Sequence, residues 1–553
     1  MAFGTGARRR FLFRLSAVLL GLMPFVLLEG GLRLFDLGRP GDSSDPLSGF
    51  NRNFPLFERQ GAVYRTAYGR EPFFSTQEFS VSKPPNAFRM FCFGGSTVYG
   101  HPYQSATAFP AWLELELAGG DRTRAYQAVN CGGVSYASYR LAPIVREVLA
   151  YQPDLVILAT GENEFLEDRT YQSLKSRPAA WARFQDTAFS LRIFNVARNW
   201  MRALSQSNSG PRSGASGRTQ LPHEVKPRLD DPSGYASYHR DDAWQDRVAA
   251  QFEDSARAMV SMCRDAKVPV ILVKLGSNLR DCPPFKSEHS GGLSPADEAA
   301  WQGDFEAATV AESSDLKKAL AVYLKAEALD GEYALLSFRI ARVLDRLGRK
   351  TEALEYYLKA RDQDVCPLRL IKRHEEILSR IAAEKKVPLV DAASLLASRS
   401  SDHIPGNDWY LDHVHPTIGG HQKIAQAIAA QLQGAGLAPR FEPWPEEKRR
   451  AAYASHLDRL GPAYFADGRR RVEWLEHWSR RERLYDETVP GDAQGFLRLG
   501  FQRLELGDDA GAWDALGEAL KRDARMTELI RQHGQELVSQ GREEFARWIT
   551  KHF

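Results

Sequence analysis

An aspartate and a histidine three residues apart are the first pair whose spacing suggests chemistry. They are Asp412 and His415, and an amphipathic helical pattern follows them. A carboxylate that hydrogen-bonds to an imidazole fixes its tautomer and stabilises its protonated form, so such a pair can act as a general base. By itself the pair is also compatible with two ligands of a metal site or with a helix cap.

A serine that this base could activate lies early in the chain. Ser96 follows Gly94 and Gly95, which end the apolar run 88–93. The pattern predicts a buried strand that ends in a tight turn. Open α/β sheets bind ligands at the carboxyl ends of their strands, and a hydroxyl on a sharp turn is accessible there. Ser96 is therefore the candidate nucleophile, with a plain glycine-rich turn as the alternative.

Strands and helices alternate around these residues. The segment 153–161 is almost continuously apolar, as expected for a strand buried on both faces of a parallel sheet. The alternation predicts a doubly wound α/β sheet. Weaker alternation over 56–82 suggests a short β layer before it. The predicted strands of the sheet are residues 88–93, 126–133, 153–161, 268–274 and 387–390.

An internal repeat interrupts this pattern before the last strand. Residues 318–326 recur as residues 352–360, an offset of 34 positions. That period, with small residues at the helix crossings, resembles tetratricopeptide repeats. A weaker third copy covers residues 499–519. An ordinary amphipathic helical hairpin is the alternative in each place.

Four sequence blocks, taken in order, resemble those of the SGNH (GDSL-type) hydrolase family. They are Gly94-Gly95-Ser96, Asn130 with Gly132-Gly133, Gly161-Glu162-Asn163-Glu164, and Asp412 to His415. The resemblance covers roughly residues 86–290 and 370–435, and it implies a flavodoxin-like doubly wound parallel sheet. It also implies that Ser96 is the nucleophile, His415 the base and Asp412 the residue that orients the base.

The resemblance further implies an oxyanion hole, and it implies no cofactor and no metal ion. Asn163 would donate a side-chain N–H to the oxyanion, beside the backbone N–H groups of Ser96 and of the second block. Counted from Asn130, the second-block position falls on Ser135 rather than Gly133, so both backbone donors remain open.

The chain departs from the family pattern at the residue before the serine. The usual aspartate is Gly95 here, and we expect the difference to matter little because that aspartate is not catalytic. A literal Gly41-Asp42-Ser43 lies near the N-terminus. No apolar strand precedes it, so nothing there would hold a serine in place or bring it a base.

Several other polar residues are candidates for the site. His101, His413 and His421 are alternative bases, although His421 falls on an amphipathic helical pattern where a core or solvent-facing histidine is expected. Lys286 and Arg369 could line the cleft, and solvated surface cations are the commoner outcome for such residues.

The composition is that of an ordinary globular protein. The chain has 553 residues, 43% of them hydrophobic and 26% charged, with a net charge of +3. This charge excludes a general attraction to nucleic acid, and the length predicts several domains. Five cysteines leave at least one without a partner in the chain, and Cys282 and Cys366 could form a disulfide in an oxidising compartment.

The N-terminal region differs from the rest. Three arginines at 8–10 precede an uncharged apolar run over 15–28. The pattern predicts a signal anchor with a cytoplasmic N-terminus and the remaining chain outside, in the periplasm or at the cell surface. A cleaved signal peptide and a buried helix are the alternatives.

The predicted organisation has six parts. They are a cytoplasmic N-terminus with a signal-anchor helix (1–37), a linker and pre-domain segment (38–85), the first part of the hydrolase core (86–300), a tetratricopeptide-like insert (301–368), the second part of the core (369–440) and a C-terminal helical repeat region (441–553).

Together these expectations describe a membrane-anchored, extracytoplasmic serine esterase. Its substrate would be an O-acyl ester of an envelope glycan or lipid. Two alternatives remain open. One is an O-acyltransferase that uses the same triad on an exported polysaccharide, and the other is a scaffold with a vestigial core whose helical repeats bind a protein partner.

Overall fold

The computed structural model describes residues 5–35, 37, 55–71, 73–175, 191–197, 200, 235–442, 444–479, 492–505, 509–523 and 525–539. The literal Gly41-Asp42-Ser43 lies outside these ranges.

A long helix and a small sheet come first. The helix α1 (Thr5–Leu34) exposes apolar side chains such as Leu20 and Phe25. Among the described residues, no helix combines the length and the apolarity needed to cross a membrane. The signal anchor predicted within 1–37 is therefore not confirmed. The strands β1 (Phe57–Gln60), β2 (Val63–Thr66) and β3 (Glu78–Ser80) then form an antiparallel sheet, which is the predicted β layer.

Five parallel strands form the central sheet. They are β4 (Ala87–Gly94), β5 (Ala125–Gly132), β6 (Leu155–Ala159), β7 (Val270–Lys274) and β8 (Leu389–Asp391). Their order across the sheet is β5-β4-β6-β7-β8, and each neighbouring pair is parallel. Numbered within the sheet this is 2-1-3-4-5, the flavodoxin-like order. The predicted fold class, a doubly wound parallel sheet, is confirmed.

The remaining helices follow in chain order. They are α2 (Ser96–Tyr99), α3 (Phe109–Gly120), α4 (Ser138–Val148), α5 (Glu164–Lys175), α6 (Asp242–Asp265), α7 (Pro295–Ala311), α8 (Leu316–Leu329), α9 (Ala334–Arg346), α10 (Lys350–Gln363), α11 (Lys372–Lys385), α12 (Ala392–Ala397), α13 (Ile418–Gly434), α14 (Glu446–Ser479), α15 (Ala493–Glu505), α16 (Asp509–Arg522) and α17 (Met526–Ser539).

Helices cover both faces of the central sheet. In β4, Phe91 and Phe93 pack in one core with α4, α6 and α11. Met90 and Cys92 pack in the other core, with α3 and α13. Successive side chains of a strand point to opposite faces, so a continuous apolar run suits a strand that is covered on both sides.

A helical insert lies between β7 and β8. The helices α7 to α10 share one core that contains Trp301, Tyr323 and Tyr357, and Leu279 and Ile404 from adjoining loops of the sheet domain join it. The two repeated segments fall on α8 and α10. The insert is therefore helical, as predicted, and its assignment to the tetratricopeptide repeats stays a prediction.

The C-terminal helices form two groups. The helix α14 bends at Gly461, where φ is +74°, directly before Pro462. It packs on the sheet domain, with the ring centroid of Tyr453 4.7 Å from that of Trp112. The helices α15, α16 and α17 share a separate apolar core. The third predicted repeat copy falls on α15 and α16, and its assignment also stays a prediction.

All five cysteines are buried, and none of them forms a disulfide. The Sγ atom of Cys282 lies 3.2 Å from Nη2 of Arg369. Cys366 instead packs with Phe165 and Trp244 in an apolar cluster. The disulfide considered for Cys282 and Cys366 is therefore absent, because each thiol has its own buried surroundings.

We predict that the native protein reacts slowly with a thiol reagent such as dithionitrobenzoate. Burial shields the sulfur atoms and raises the pKa of Cys92, Cys131 and Cys366, so the reactive thiolate is scarce. In guanidinium without reductant, all five thiols should react. Recovery of three thiols, with full recovery only after reduction, would reveal a disulfide and contradict this arrangement.

Candidate active site

The turn that presents Ser96 depends on two glycines. The strand β4 ends at Gly94, and α2 begins at Ser96. A Cβ on Gly94 would collide with the carbonyl oxygen of Ala159 on the neighbouring strand β6, and a Cβ on Gly95 would collide with the amide nitrogen of Asn163. Glycine at 95 suits this turn, because the Asn163 amide occupies the space that a side chain would need. The expectation that catalysis does not require an aspartate at this position stays a prediction.

A loop ahead of α13 presents the acid and the base. Nδ1 of His415 lies 2.6 Å from Oδ2 of Asp412, and Nε2 of His415 lies 2.7 Å from Oγ of Ser96. The backbone N–H groups of Val414 and His415 both donate to Oδ1 of Asp412, at 2.9 and 2.8 Å. The carboxylate is thus fixed by its own loop. Three residues predicted from two separate sequence blocks lie in one hydrogen-bonded chain.

The buried carboxylate of Asp412 is ionised. Burial alone would raise the pKa of Asp412, but the adjacent His415 and His413 hold that pKa well below its ordinary value. An ionised acceptor beside Nδ1 keeps a proton on that nitrogen. Nε2 is then free to accept the proton of Ser96, which is the arrangement a serine nucleophile needs.

The three histidines considered as alternative bases lie near the hydrogen-bonded series formed by Asp412, His415 and Ser96. Nδ1 of His421 accepts the backbone N–H of Phe109 at 3.3 Å, and burial lowers the pKa of His421 to about 3. Burial also lowers the pKa of His101 and of His413. Their ring centroids lie 5.2 and 5.9 Å from that of His415. Within the described ranges, no three His, Cys, Asp or Glu residues are placed to hold a metal ion.

Candidate oxyanion donors lie close to the serine turn. Nδ2 of Asn163 is 3.3 Å from the carbonyl oxygen of Tyr136. The N–H of Gly133 donates to the carbonyl of Gly94 at 3.0 Å, so it is already used. The N–H of Ser135 has no acceptor among the residues that the structure describes. Of the two second-block donors left open by the sequence, Ser135 is therefore the better candidate.

The second block also has a structural role that the sequence did not reveal. Nδ2 of Asn130 donates to the carbonyl of Val98 at 2.7 Å, and its Oδ1 accepts the N–H of Gly132 at 2.9 Å. Asn130 therefore ties the end of β5 to the short helix α2, which begins with Ser96. A polar residue within an apolar strand pattern was the available signal.

A buried carboxylate near the nucleophile was also not predicted. Oε1 of Glu162 would lie 3.1 Å from a Cβ at Gly95. Neither carboxylate oxygen forms a hydrogen bond of good geometry in the described part of the chain. Burial raises the pKa of Glu162 to about 7, although the nearby His415 and Thr97 favour its ionised form. In the sequence, Glu162 is an acidic residue directly after an apolar strand pattern. Such a residue is usually interpreted as an exposed loop residue.

The two cations considered for the cleft stabilise a loop instead. Arg369 is only 3% exposed, and its guanidinium donates to the carbonyl oxygens of Asn278 and Cys282 at 3.2 and 2.9 Å. Lys286 forms an ion pair with Glu288 at 3.0 Å. A solvated surface position is therefore wrong for Arg369, because its charge is needed to satisfy buried carbonyl groups after β7.

The helix α14 covers the loop that follows the nucleophile. The guanidinium of Arg471 donates to the carbonyl oxygens of Pro102 and Tyr103. The hydroxyl groups of Tyr464 and Thr107 are 2.9 Å apart. A segment about 360 positions further along the chain thus holds the loop next to Ser96 in place.

Comparisons with known proteins return solved structures only. No family model and no curated protein matches the sequence. The chain is similar to a protein named for the G-D-S-L lipolytic family from Desulfitobacterium hafniense, at 13% identity and a TM-score of 0.27, over 62% of this chain and 99% of that one. It is also similar to a catalytic mutant of an acetylxylan esterase from Geobacillus stearothermophilus, at 12% identity and a TM-score of 0.28, over 62% and 94%.

These similar structures include one named for the family that the four sequence blocks resemble. Identities and TM-scores this low carry no argument about activity. Function is therefore inferred from the order of the strands in the sheet and from the geometry of the site.

We predict that Glu162→Gln stabilises the fold more at pH 8 than at pH 5. The pKa of Glu162 is about 7 in the folded chain and ordinarily 4.5, so the folded state keeps a proton that the unfolded state loses. Stability from this group therefore falls as pH rises from about 4.5 to about 7. The glutamine variant avoids this loss, which is on the order of 3 kcal/mol.

The urea midpoint of unfolding, measured for both proteins at the two pH values, checks this prediction. Glu78→Gln, at an exposed position of β3, is the matched control and should behave like the unchanged protein. An equal difference between Glu162→Gln and the unchanged protein at both pH values would contradict a buried, proton-holding carboxyl group.

Proposed function

We propose that this chain is a serine esterase of the SGNH type that hydrolyses O-acyl esters. The observation that carries the proposal is the unbroken hydrogen-bonded chain from Asp412 through His415 to Ser96, with distances of 2.6 and 2.7 Å. Ser96 also lies at the carboxyl end of a central strand of a flavodoxin-like sheet, where ligands of such sheets bind.

The mechanism follows from the roles of these atoms. Oγ of Ser96 attacks the acyl carbonyl carbon while Nε2 of His415 takes its proton. The N–H groups of Ser96, Asn163 and Ser135 stabilise the oxyanion that forms. The imidazolium then gives the proton to the departing alcohol, leaving an acyl group on Ser96. A water molecule, deprotonated by His415, attacks this ester, and the acid leaves as the serine regains its proton.

The substrate class in this proposal is an acylated glycan or lipid of the cell envelope. It is supported by the arginines at 8–10 and the uncharged run over 15–28, which favour a location of the site outside the cytoplasm and attachment to the membrane. An intact acid, base and nucleophile in contact argue against a purely scaffolding protein with a vestigial core. Transfer to a sugar hydroxyl uses the same acyl-serine and differs only in the final acceptor.

Hydrolysis of p-nitrophenyl acetate tests the catalytic assignment. Ser96→Ala should abolish turnover, and Asn163→Ala should lower kcat by about 10²–10³ if its N–H stabilises the oxyanion. Asn86→Ala, at an exposed position before β4, is the control and should retain full activity. Full turnover in Asn163→Ala would remove this residue from the oxyanion hole, and full turnover in Ser96→Ala would overturn the proposed function.

Product analysis with an acetylated oligosaccharide separates hydrolysis from transfer. A hydrolase releases free acetate in step with deacetylation. Retention of the acetyl group on an added unacetylated oligosaccharide would assign the acyltransferase reaction instead, with the same nucleophile.

A further inference from the structure

A cavity of about 430 Å³ lies where the helical insert meets the sheet domain. The insert contributes residues of α9 to one wall, and the loop after β7 contributes the other. Leu335, Phe338 and Pro283 provide apolar surface. The cavity has the volume of a small-ligand site, and five of its eight lining residues are polar or charged.

Cationic groups dominate the polar part of this cavity. Arg280, Arg339 and Arg342 line it, against a single carboxylate, Asp281. Asp281 accepts the backbone N–H of Asn407 at 2.8 Å. Guanidinium groups bind carboxylates and phosphates with two parallel hydrogen bonds, so this lining favours an anionic ligand.

The three arginines are not equally available to a ligand. Nε of Arg280 pairs with Asp345 at 2.9 Å, and its Nη2 lies 3.4 Å from Asp402. The charge of Arg280 is therefore matched by acids behind the cavity. Arg280 therefore stabilises the wall of the cavity, and the other two arginines are the ones that can bind a ligand.

Arg339 and Arg342 are one helical turn apart on α9. Arg339 has a long contact of 3.4 Å with Glu312. Arg342 is exposed, and it forms no ion pair with any residue that the structure describes. Two guanidinium groups at this spacing lie on the same side of the helix and can contact one anion.

The cavity wall is tied to the loop that carries the acid and the base. The N–H of Asn278 donates to the carbonyl of His413 at 3.0 Å, and its Nδ2 donates to Oδ1 of Asn407 at 2.8 Å. Oδ1 of Asn278 accepts the N–H of Asp281 at 2.9 Å. One asparagine therefore fixes the cavity to the loop of Asp412 and His415, so a ligand held here lies beside the proposed catalytic loop.

We propose that this cavity is a binding site for an acidic sugar residue. Its carboxylate or phosphate contacts Arg339 and Arg342, and its ring packs on the partly exposed Leu335 and Pro283. Asp281 accepts hydrogen bonds from ring hydroxyl groups. The binding site does not depend on esterase activity, whereas its use as a subsite for an acidic acylated glycan rests on the proposed function.

Calorimetric titration of the full chain tests the site without any turnover. The probes are trigalacturonate for the carboxylate, mannose 6-phosphate for the phosphate, and maltotriose as the neutral sugar. We expect at least one acidic probe to bind at least tenfold more tightly than maltotriose, with an affinity that falls as salt is added. The acidic probe that binds identifies the anionic group.

Two arginine variants decide whether this cavity is responsible. The double variant Arg339→Gln with Arg342→Gln should weaken binding of the acidic probe at least tenfold. Arg346→Gln removes one guanidinium charge from an exposed position of the same helix, outside the cavity, and should leave binding unchanged. The proposal is overturned if neither acidic probe binds, if maltotriose binds equally well, or if the double variant binds like the unchanged protein. Failure of the esterase assays alone leaves these results unaffected.

Discussion

The hydrogen bond between Nε2 of His415 and Oγ of Ser96 is the interaction on which the proposed activity depends, and it joins residues 319 positions apart. It forms because β4 and β8 run parallel in one sheet, so the segments that follow them emerge at the same edge. The connection between β7 and β8, which contains the helical insert, has to return the chain to the opposite, amino-terminal edge so that β8 can run parallel to β7. The site therefore exists only when the five-stranded sheet is complete, and lesions far from the serine that break the sheet should remove activity with the fold.

Close packing at the serine turn is the second constraint. Gly94 and Gly95 are the residues that allow β6 and the Asn163 amide to approach the turn. Next to them lies Glu162, a buried carboxyl group that forms no hydrogen bond of good geometry among the described residues. Such groups destabilise a fold, and they are commonest where function requires them. The apolar cores on both faces of the sheet offset this cost.

The sheet, its strand ends and the residues in the hydrogen-bonded chain could be predicted from the sequence because each depends on a local pattern. An apolar run followed by glycines marks β4, and Asp412 and His415 are three residues apart on one loop. Other features depend on contacts between distant segments and could not be predicted. The burial of Arg369 against carbonyl groups is one example, and the cavity between insert and sheet domain is another. The tetratricopeptide assignment and the cellular location remain predictions, since hydropathy and repeat spacing are their only basis.

Labelling with a fluorophosphonate probe, followed by peptide mass spectrometry, tests the central claim most directly. A covalent adduct is expected on Ser96, and it should form slowly or not at all in His415→Ala because the hydroxyl then lacks its base. An adduct on a different serine, or labelling of Ser96 at the same rate without His415, would contradict it.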